Sequence, residues 1–415
     1  MNAQITDIQA PGVKFDGPRL PQLQRGVANL LDLKNNRFPG AQPVSFTRRH
    51  LEELKKTDYY VCEKSDGMRY LLYLTTTPHG EEAQFLIDRR NDFWFMPANS
   101  LHFPVPHNMQ SFHTDTLIDG ELVLDSLPNG QKQPKYLVFD CLTLDGNSLM
   151  TRTLDKRLAY FKERIMSPYE HLCKDFPEEK RYFSFIMEMK KMQLGYAMEL
   201  MFKEVLPGLP HGNDGLVFTC RTSPYKHGTD PHILKWKPEA ENSIDFRLQL
   251  EFNLVQPDEQ DRKDGITEPY YDYDSEPIFN LHVFAGRGIE DPWYGTLQLD
   301  PGEWDSLKAL QEPLNDRIVE CYMDGDKRWK YMRFRDDKEN ANHTSTVESV
   351  IESITDRVTQ EDLINAQAGI RDEWKRRAAE EHARQRKEAE KKRVASVGVS
   401  NGPPPGAGIK RKAEE

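Results

Sequence analysis

The chain has 415 residues and a formal net charge of −11, with 37% hydrophobic and 30% charged residues. This length favours two folded domains and a tail. We find no apolar run long enough to cross a membrane and no signal-peptide core at the start, so an intracellular protein is expected. The five scattered cysteines form no C-x-x-C pair, which argues against a disulfide framework and against a zinc site.

The charge is distributed unevenly along the chain. Residues 371–415 contain 13 Lys and Arg against 8 Asp and Glu, a net of +5, which leaves −16 for residues 1–370. Tight nonspecific binding of nucleic acid depends on many contacts between cations and phosphates. The acidic body of the chain therefore argues against that class of function.

Residues 1–242 have the pattern of a mixed domain of strands and helices. Prolines and glycines favour an extended arm over residues 1–20. Apolar residues at helical spacing predict helices over 47–56, 154–165 and 196–205. Strand-like runs between turns fall within 59–95, with a hairpin tip at 90–92, and over 117–124, 135–142, 214–220 and 232–237.

A second β-rich unit begins at Ser243. Apolar and polar residues alternate without a break from Ser243 to Leu254, which indicates a half-buried antiparallel strand. Residues 256–277 are acidic and rich in Pro and Tyr, and they predict a long loop. Short strands at close spacing over 278–285, 295–299, 317–323 and 329–335 suggest a small barrel.

Two helices are predicted after the barrel. Ser345 and Glu348 have the spacing of a capping box, and Thr359 with Asp362 favours a second helix start. The second helix is almost entirely charged towards residue 393, so we expect its later half to be solvated or frayed.

The end of the chain is predicted to be disordered over residues 398–408, which are rich in Gly and Pro. The basic clusters 391–393 and 410–412 fit a bipartite nuclear import signal and, equally well, two solvated basic patches. We expect removal of residues 371–415 to leave the activity of the folded domains nearly unchanged.

Lys64–Arg69 reads K-x-D-G-x-R and lies between two strand-like runs, 59–62 and 70–74. A free lysine amine is almost wholly protonated at neutral pH, but partial desolvation and neighbouring cations lower its pKa and make it nucleophilic. Arg69 can supply such a cation, and Gly67 allows a tight turn and close approach of a phosphate. An exposed turn lysine is the alternative reading, because short motifs recur by chance.

Five later segments combine acids or cations with strand-like apolar residues. In order they are Asp119–Val123, where a carboxylate pair opens a strand, Tyr136–Asp140, Asp214–Thr219, Leu234–Lys237 and Arg333–Lys338. Both lysines of Leu234–Lys237 leave one face of a strand. With Lys64, these segments provide a nucleophile, carboxylates for a hard divalent cation and cations for a triphosphate. Such a set suits nucleotidyl transfer.

This ordered set resembles the covalent nucleotidyltransferases, which comprise mRNA capping guanylyltransferases and polynucleotide ligases. It is most similar to capping guanylyltransferases of fungal type, the alpha subunit of a two-subunit capping enzyme. The distinguishing segments are Phe85–Arg89, Lys190–Gln193 and Trp329–Lys338 followed by Asn342-His343. The resemblance covers roughly residues 20–355, with all six expected motifs in order.

The resemblance implies an α+β protein. It implies a ligase-like, antiparallel-sheet nucleotidyltransferase domain over residues 1–242 and an OB-fold β-barrel domain with a C-terminal helix over 243–355. A charged helical to disordered tail then covers 356–415.

The implied activity is mRNA guanylyl transfer. Lys64 would take GMP from GTP as a phosphoramidate, releasing pyrophosphate, and pass it to the 5′-diphosphate end of nascent mRNA to form the GpppN cap. The nucleotide contacts implied by the resemblance are Arg69, Arg89, Glu121, Phe139, Lys190, Asp214, Lys235, Lys237, Arg335, Asp337 and Lys338.

Separate roles follow from the same resemblance. Glu121 and Asp214 would lie near an Mg²⁺ or Mn²⁺ ion, and Phe139 would stack on guanine, although a strand Phe is more usually core. Arg89 and Lys190 would meet the acceptor edge of guanine, with Lys191 an open alternative to Lys190. By the same resemblance, Lys235 and Lys237 would bind the α-phosphate. The β- and γ-phosphates would be bound by Arg335, Asp337 and Lys338 after the two domains close.

The implied partners follow from what the sequence lacks. Nothing before Lys64 is large enough for a phosphatase domain, so a separate RNA 5′-triphosphatase, the beta subunit, is expected in a stable complex. The resemblance also implies the phosphorylated C-terminal domain of RNA polymerase II as a partner and the nucleus as the location. One alternative is an ATP-dependent polynucleotide ligase. The other is an inactive nucleotidyltransferase-like recruitment module, which would be marked by loss of the nucleophile or of the metal-binding acids, yet Lys64, Glu121 and Asp214 are all present.

Overall fold

The computed structural model of the chain describes residues 10–35, 37–97, 100–238 and 242–398. Two sheets with flanking helices form an N-terminal domain, and a closed barrel forms a C-terminal domain. The fold is therefore the predicted α+β class. Over these ranges, the helices are too short or too polar to span a membrane.

The N-terminal domain contains five α-helices and fifteen strands within the described ranges. The helices are α1 (Leu20–Leu30), α2 (Arg48–Lys56), α3 (Leu154–Phe161), α4 (Ser167–Asp175) and α5 (Met198–Leu200), with π-helical turns at Lys162–Met166 and Met201–Val205. The strands are β1 (Val13–Lys14), β2 (Ala41–Ser45), β3 (Tyr59–Ser65), β4 (Met68–Thr76), β5 (Glu82–Ile87), β6 (Phe93–Phe95), β7 (Pro104–Val105), β8 (Asn108–Phe112), β9 (Thr116–Ser126), β10 (Lys132–Leu144), β11 (Asn147–Ser148), β12 (Ile186–Met189), β13 (Gln193–Leu194), β14 (Asn213–Cys220) and β15 (Gly228–Trp236).

Most of these strands belong to two sheets. The larger has the order β1-β6-β5-β4-β9-β10-β11, with β12 parallel to β10, and the smaller has the order β13-β3-β14-β15-β2. Although β3 and β4 are consecutive, they lie in different sheets, so the turn at Asp66-Gly67 carries the chain from one to the other. A Cβ on Gly67 would lie 2.5 Å from the backbone oxygen of Leu122 on β9. This glycine is therefore required for strand packing.

Each sheet buries apolar side chains on its own helices. Tyr70 and Leu72 of the larger sheet pack with Phe161 of α3 and Tyr169 of α4. Burying such side chains contributes about 1.5–3 kcal/mol each relative to exposure. The cysteines are free and buried, as expected for structural thiols.

The C-terminal domain begins at Ser243. Its strands are β16 (Ser243–Glu251), β17 (Leu254–Val255), β18 (Tyr270–Tyr271), β19 (Ile278–His282), β20 (Trp293–Leu297), β21 (Ile318–Met323) and β22 (Trp329–Phe334), and the helices in and after it are α6 (Glu259–Lys263), α7 (Glu303–Ala309), α8 (Thr344–Thr355) and α9 (Gln360–Gly398). Strands β16-β19-β20-β22-β21 close into a barrel. The predicted small barrel is confirmed, and five strands are compatible with an OB-fold.

Three local predictions in this domain are wrong. Strand β16 ends at Glu251, and the segment predicted as a long loop contains α6 and β18, which pairs with β17. Helix α8 begins one residue before Ser345, and its N-cap is His343, whose Nδ1 accepts a hydrogen bond from the Ser345 amide at 3.2 Å. A histidine ring replaces the expected Ser345–Glu348 capping box.

Helix α9 returns to the N-terminal domain. The predicted start is confirmed, because Thr359 and Asp362 exchange side-chain-to-amide hydrogen bonds of 2.9 and 3.0 Å. Leu363 and Ile370 are buried in one cluster with Tyr59 of β3. The segment predicted as a charged helical to disordered tail over 356–415 therefore begins with a helix that packs on the N-terminal domain.

The contact between α9 and the N-terminal domain extends past residue 370. The Trp374 ring lies 5.7 Å from the Tyr196 ring, and the Arg377 guanidinium is 2.7 Å from the Asp58 carboxylate. Side chains over 382–391 are exposed, so the solvated later half is confirmed there. The basic cluster 410–412 and the segment 399–408 lie outside the described residues.

Candidate active site

Lys64 lies on β3, opposite a bulge in β14. The two strands pair on either side of it, and both Asp214 and Gly215 occupy the position across from it. Gly215 has a φ of 138°, and a Cβ there would lie 2.1 Å from the backbone oxygen of Trp236, so a larger residue could not form this bulge. The bulge directs Asp214 at Lys64, whose Nζ lies 2.7 and 2.8 Å from the two carboxylate oxygens.

Further ammonium groups surround this ion pair. The Nζ of Lys237 lies 2.8 Å from Oδ2 of Asp214, an oxygen that Lys64 also contacts. Burial raises the pKa of Asp214, but the charges of Lys64 and Lys237 outweigh burial and lower it. Burial, followed by the charges of Lys237, Lys64 and Arg89, lowers the pKa of the half-buried Lys235. The cations that act on one another here are therefore Lys64, Lys235, Lys237 and Arg89.

Arg69 was expected to supply a cation beside Lys64, but it is paired with an acid. Its guanidinium donates two hydrogen bonds of 3.0 and 2.7 Å to the buried Asp119 carboxylate, which also accepts one of 2.6 Å from the Tyr225 hydroxyl. Burial opposes its charge, but Asp119 raises the pKa of Arg69. The charge of Arg69 is thus neutralised by Asp119, and its Cζ lies 5.4 Å from the centre of the Phe139 ring.

Phe139 occupies a second bulge. Strand β10 shifts register against β9 between Val138 and Asp140, which leaves Phe139 outside the ladder. The Phe139 ring is half-buried, whereas Asp140 beside it is buried and binds Arg157 at 2.7 Å. Bulges often re-aim a side chain beside an active site. The ring is therefore available for stacking, which stays a prediction.

Lys190 and Lys191 have different surroundings. Lys190 is buried, and its Nζ lies 2.7 Å from the Ser65 hydroxyl and 3.6 Å from carboxylate oxygens of both Glu63 and Glu121. Lys191 is exposed. Glu121 lies inside β9, so the expectation that a carboxylate pair opens this strand is wrong. Residues missed by sequence reasoning include Glu63, the direct neighbour of Lys64.

A cavity of about 640 Å³ lies between the two domains. More cations than acids line it. The cations include Lys64, Arg89, Lys235 and Lys237 from the N-terminal domain and Arg335 and Lys338 from the C-terminal domain, and the lining acids are Asp245 and Glu320. Its size is within the range of small-ligand sites, and its charge favours a polyanion. The other candidates, Arg69, Glu121, Phe139, Lys190, Asp214 and Asp337, are not among its lining residues.

Two acids hold the barrel cations towards this cavity. Asp245 forms ion pairs with Lys338 and with Arg335, the latter at 3.2 Å, and Glu320 lies 3.6 Å from Arg335. The exposed Asp337 accepts hydrogen bonds of 2.9 and 2.8 Å from Arg335, which lower its pKa to about 2. Asp245 and Glu320 were missed by sequence reasoning. The signal at Asp245 is an acid between the apolar positions Ile244 and Phe246.

The carboxylates near Lys64 suit a metal ion that takes some of its ligands from the protein and the others from a substrate. The described part of the chain contains no group of three or more His, Cys, Asp or Glu that could hold a metal alone. Burial and then the charge of Asp214 raise the pKa of Asp66. Mg²⁺ commonly keeps several waters and binds one or two carboxylates plus phosphates. Glu121 and Asp214 are the carboxylates predicted to lie near such an ion, and this stays a prediction.

Comparison with known proteins decides the family. The model of the mRNA capping enzyme catalytic domain matches residues 5–239, and that of the mRNA capping enzyme C-terminal domain matches residues 241–364. The chain is 52% identical over 386 residues to the mRNA-capping enzyme subunit alpha of Neurospora crassa, covering 90% of this chain and 95% of the relative. The chain belongs to the mRNA capping enzyme family.

Other comparisons agree with the capping enzyme assignment. The mRNA-capping enzyme subunit alpha of Schizosaccharomyces pombe is 45% identical over 374 residues, covering 89% of this chain and 90% of the relative. The resemblance to capping guanylyltransferases is confirmed, and this capping enzyme is an mRNA guanylyltransferase. The name subunit alpha implies a partner subunit. A mycobacterial DNA ligase D complexed with ATP and MES matches at 15% identity and a TM-score of 0.33, covering 72% of this chain and 95% of that one, and adds no weight.

Proposed function

We propose that this mRNA guanylyltransferase carries GMP on Lys64. The observation that supports this most is the position of Lys64 in a cavity lined by cations of both domains, with its amine 2.7 Å from Asp214. In the first step, the deprotonated amine attacks the α-phosphorus of GTP, the bond to pyrophosphate breaks, and the nitrogen releases a proton to solvent as the phosphoramidate forms. Asp214 orients the amine through its hydrogen bonds. Covalent catalysis divides one difficult transfer into two easier ones.

The second step regenerates the amine. A terminal phosphate oxygen of 5′-diphosphate RNA attacks the same phosphorus, and the phosphorus–nitrogen bond to Lys64 breaks. The nitrogen leaves as an amine after it gains a proton, so no other cofactor is consumed. The product is the 5′–5′ triphosphate cap.

Guanine recognition would fall to Lys190, Arg89 and Phe139. Cationic donors facing O6 and N7 favour guanine over adenine, which presents an amino group at the same edge. Burial of Lys190 beside Ser65 favours it over the exposed Lys191. Phe139 would stack on the base above Arg69.

The phosphates would be bound from both domains. Lys235 and Lys237 suit the α-phosphate because they flank Lys64, whereas Arg335 and Lys338 on the barrel suit the β- and γ-phosphates. Asp337 would orient Arg335 through their paired hydrogen bonds. Such positioned cations stabilise the charge that develops on departing pyrophosphate.

A divalent cation, Mg²⁺ or Mn²⁺, would be held by Asp214 and Glu121. Bound there with the triphosphate, it would neutralise charge on phosphate oxygens. Chelation of the metal is therefore expected to stop GMP transfer to the enzyme, and added Mg²⁺ is expected to restore it.

The partner subunit would be an RNA 5′-triphosphatase, because the acceptor RNA needs a 5′-diphosphate end. The phosphorylated C-terminal domain of RNA polymerase II would be a second partner, and the nucleus the location. The naming of curated relatives as subunit alpha supports the first of these. Copurification with a triphosphatase from nuclei would test both the partner and the location.

The nucleotide identity is tested with labelled substrates. The protein is incubated with Mg²⁺ and either GTP or ATP labelled at the α-phosphate, then denatured. Retention of label from GTP alone is expected. Retention from ATP would instead indicate a ligase activity, and retention from neither would contradict covalent transfer.

A further inference from the structure

A buried cluster of charged groups lies beside the strand that carries Lys64. His211 precedes β14 and lies between Glu63 of β3 and Asp125 of β9. The side chains of these three residues are only 6%, 4% and 3% exposed. Neither His211 nor Glu63 has a role in the mechanism above.

The geometry sets the protonation of His211. Its Nδ1 lies 2.8 Å from the Asp125 carboxylate, and its Nε2 faces the Glu63 carboxylate at 3.8 Å without a hydrogen-bond partner. A neutral imidazole has one N–H, so its other nitrogen would direct a lone pair at a carboxylate. Only the imidazolium presents an N–H to both acids.

The charges of the neighbouring groups lead to the same conclusion. Besides His211, the more buried charged groups here are three acids and two lysines: Glu63, Glu121 and Asp125 with Lys135 and Lys190, joined by contacts of 2.6 Å for Lys135–Asp125 and 3.6 Å for Lys190–Glu63 and Lys190–Glu121. Lys135 also lies 3.0 Å from Glu188, whose side chain is 44% exposed and therefore solvated. Among the more buried groups, a protonated His211 balances the charges, and a neutral His211 leaves one uncompensated negative charge. Burial lowers the pKa of His211, but its contacts with Glu63 and Asp125 outweigh burial and raise it.

Glu63 connects this histidine to the nucleotide site. The same carboxylate oxygen faces His211, lies 3.6 Å from the Nζ of Lys190 and lies 3.3 Å from the Ser65 hydroxyl. Without the charge on His211, the Glu63 carboxylate would attract Lys190 more strongly and draw its ammonium away from a base.

We propose that His211 and Glu63 form a buried ionic pair that positions Lys190 and thereby sets selectivity for guanine. Both are positioning residues, since they act through Lys190. The inference rests on the proposed contact between Lys190 and the guanine acceptor edge. It adds two residues, which act on the base only through Lys190, to the determinants of specificity.

Single-turnover formation of the GMP adduct tests the pair. His211→Gln is compared with wild type over a range of GTP and ATP concentrations, with the exposed His79→Gln as control. We expect His211→Gln to raise the half-saturating GTP concentration about tenfold and to lower the ratio of GTP to ATP use, because a charge pair is lost. The rate at saturating GTP is expected to stay within about twofold of wild type, because the reacting groups are intact.

A double-mutant cycle and a pH profile distinguish positioning from simple structural support. Glu63→Gln with His211→Gln is expected to lose less than the product of the two single effects, because each single change leaves a buried partner uncompensated. A group whose pKa is raised contributes below its pKa, and its contribution is lost as pH rises through that value. The wild-type advantage over His211→Gln in half-saturating GTP concentration should therefore shrink at higher pH. The groups that face His211 are Glu63 and Asp125, with Lys190 and Lys135 beyond them.

Three results would overturn the inference. The first is a His211→Gln variant whose half-saturating GTP concentration and ratio of GTP to ATP use are unchanged. The second is a double variant in which the two single effects multiply. The third is a loss of thermal stability in His211→Gln together with equal slowing of both steps at saturating GTP. If wild type itself forms no GMP adduct, the proposed function fails and this inference fails with it. If wild type forms the adduct and His211→Gln matches it throughout, only this inference fails.

Discussion

At the scale of single residues, the proposed role of Lys64 rests on the groups around its amine. The Asp214 carboxylate accepts two hydrogen bonds from this amine and also contacts Lys237. Lys235 lines the same cavity as Lys64. Arg69 is not one of these groups, because Asp119 binds its guanidinium.

Lys64→Arg is expected to abolish the covalent GMP adduct while keeping the positive charge, because a guanidinium is not a nucleophile. Retention of α-label after denaturation is the measurement. Lys191→Arg is the matched control, since Lys191 is exposed, and it should label like wild type. A labelled adduct in Lys64→Arg would place the nucleophile at another residue.

The sequence identified several cavity-lining cations, because Lys64, Arg89, Lys235 and Lys237 occur in short local motifs. It could not locate the bulges that aim Asp214 and Phe139. A bulge depends on the register of a strand far away in sequence. The pairing of Arg69 with Asp119 was missed for the same reason, since it requires β4 and β9 to be neighbours.

At the scale of elements, the sequence pattern predicted most of the longer strands but did not indicate how they group into sheets. Strands β3 and β4 were both expected, but a short turn with glycine is equally compatible with a hairpin and with a change of sheet. The barrel strands were found because their apolar residues alternate. The start of helix α9 and its solvated later half were predicted, but its docking was not, because few apolar residues, among them Leu363 and Ile370, suffice to hold a charged helix on an apolar cluster.

We expect truncations of α9 to show that its docked part stabilises the protein and that its solvated part does not. Removing residues 382–415 should leave the free energy of unfolding and GMP-adduct formation nearly unchanged. Removing 371–415 also deletes Trp374 and Arg377, and should cost on the order of 2 kcal/mol, or roughly 4–8 °C in Tm. Thermal unfolding of the two truncated proteins measures this difference. Equal Tm values would show that these contacts contribute no stability.

At the scale of the whole molecule, the chain crosses between the domains twice. It enters the barrel before Ser243 and returns through α8 and α9, and residues of both domains and of these helices line one cavity. Lys338 and Lys64 are far apart in sequence, but both line this cavity. Sequence motifs predicted that they would share a triphosphate, but not that Asp245 would hold Lys338.

Lys338→Ala is expected to slow the first step by ~10²–10³, because pyrophosphate would leave without a positioned cation. The second step has no pyrophosphate to bind, so enzyme–GMP formed with excess GTP should cap diphosphate RNA at close to the normal rate. Single-turnover assays of the two steps measure this. Lys263→Ala, an exposed change on the same domain, is the control, and equal slowing of both steps in Lys338→Ala would contradict a role in closure.

The central claim is that GMP becomes covalently bound to Lys64, and peptide mapping tests it most directly. Wild-type protein is incubated with GTP and Mg²⁺, digested at a pH that preserves phosphoramidates, and analysed by mass spectrometry. The account predicts GMP on the peptide that contains Lys64, with the bond at that side chain. GMP found at Lys235, at Lys237 or at any other residue would contradict it.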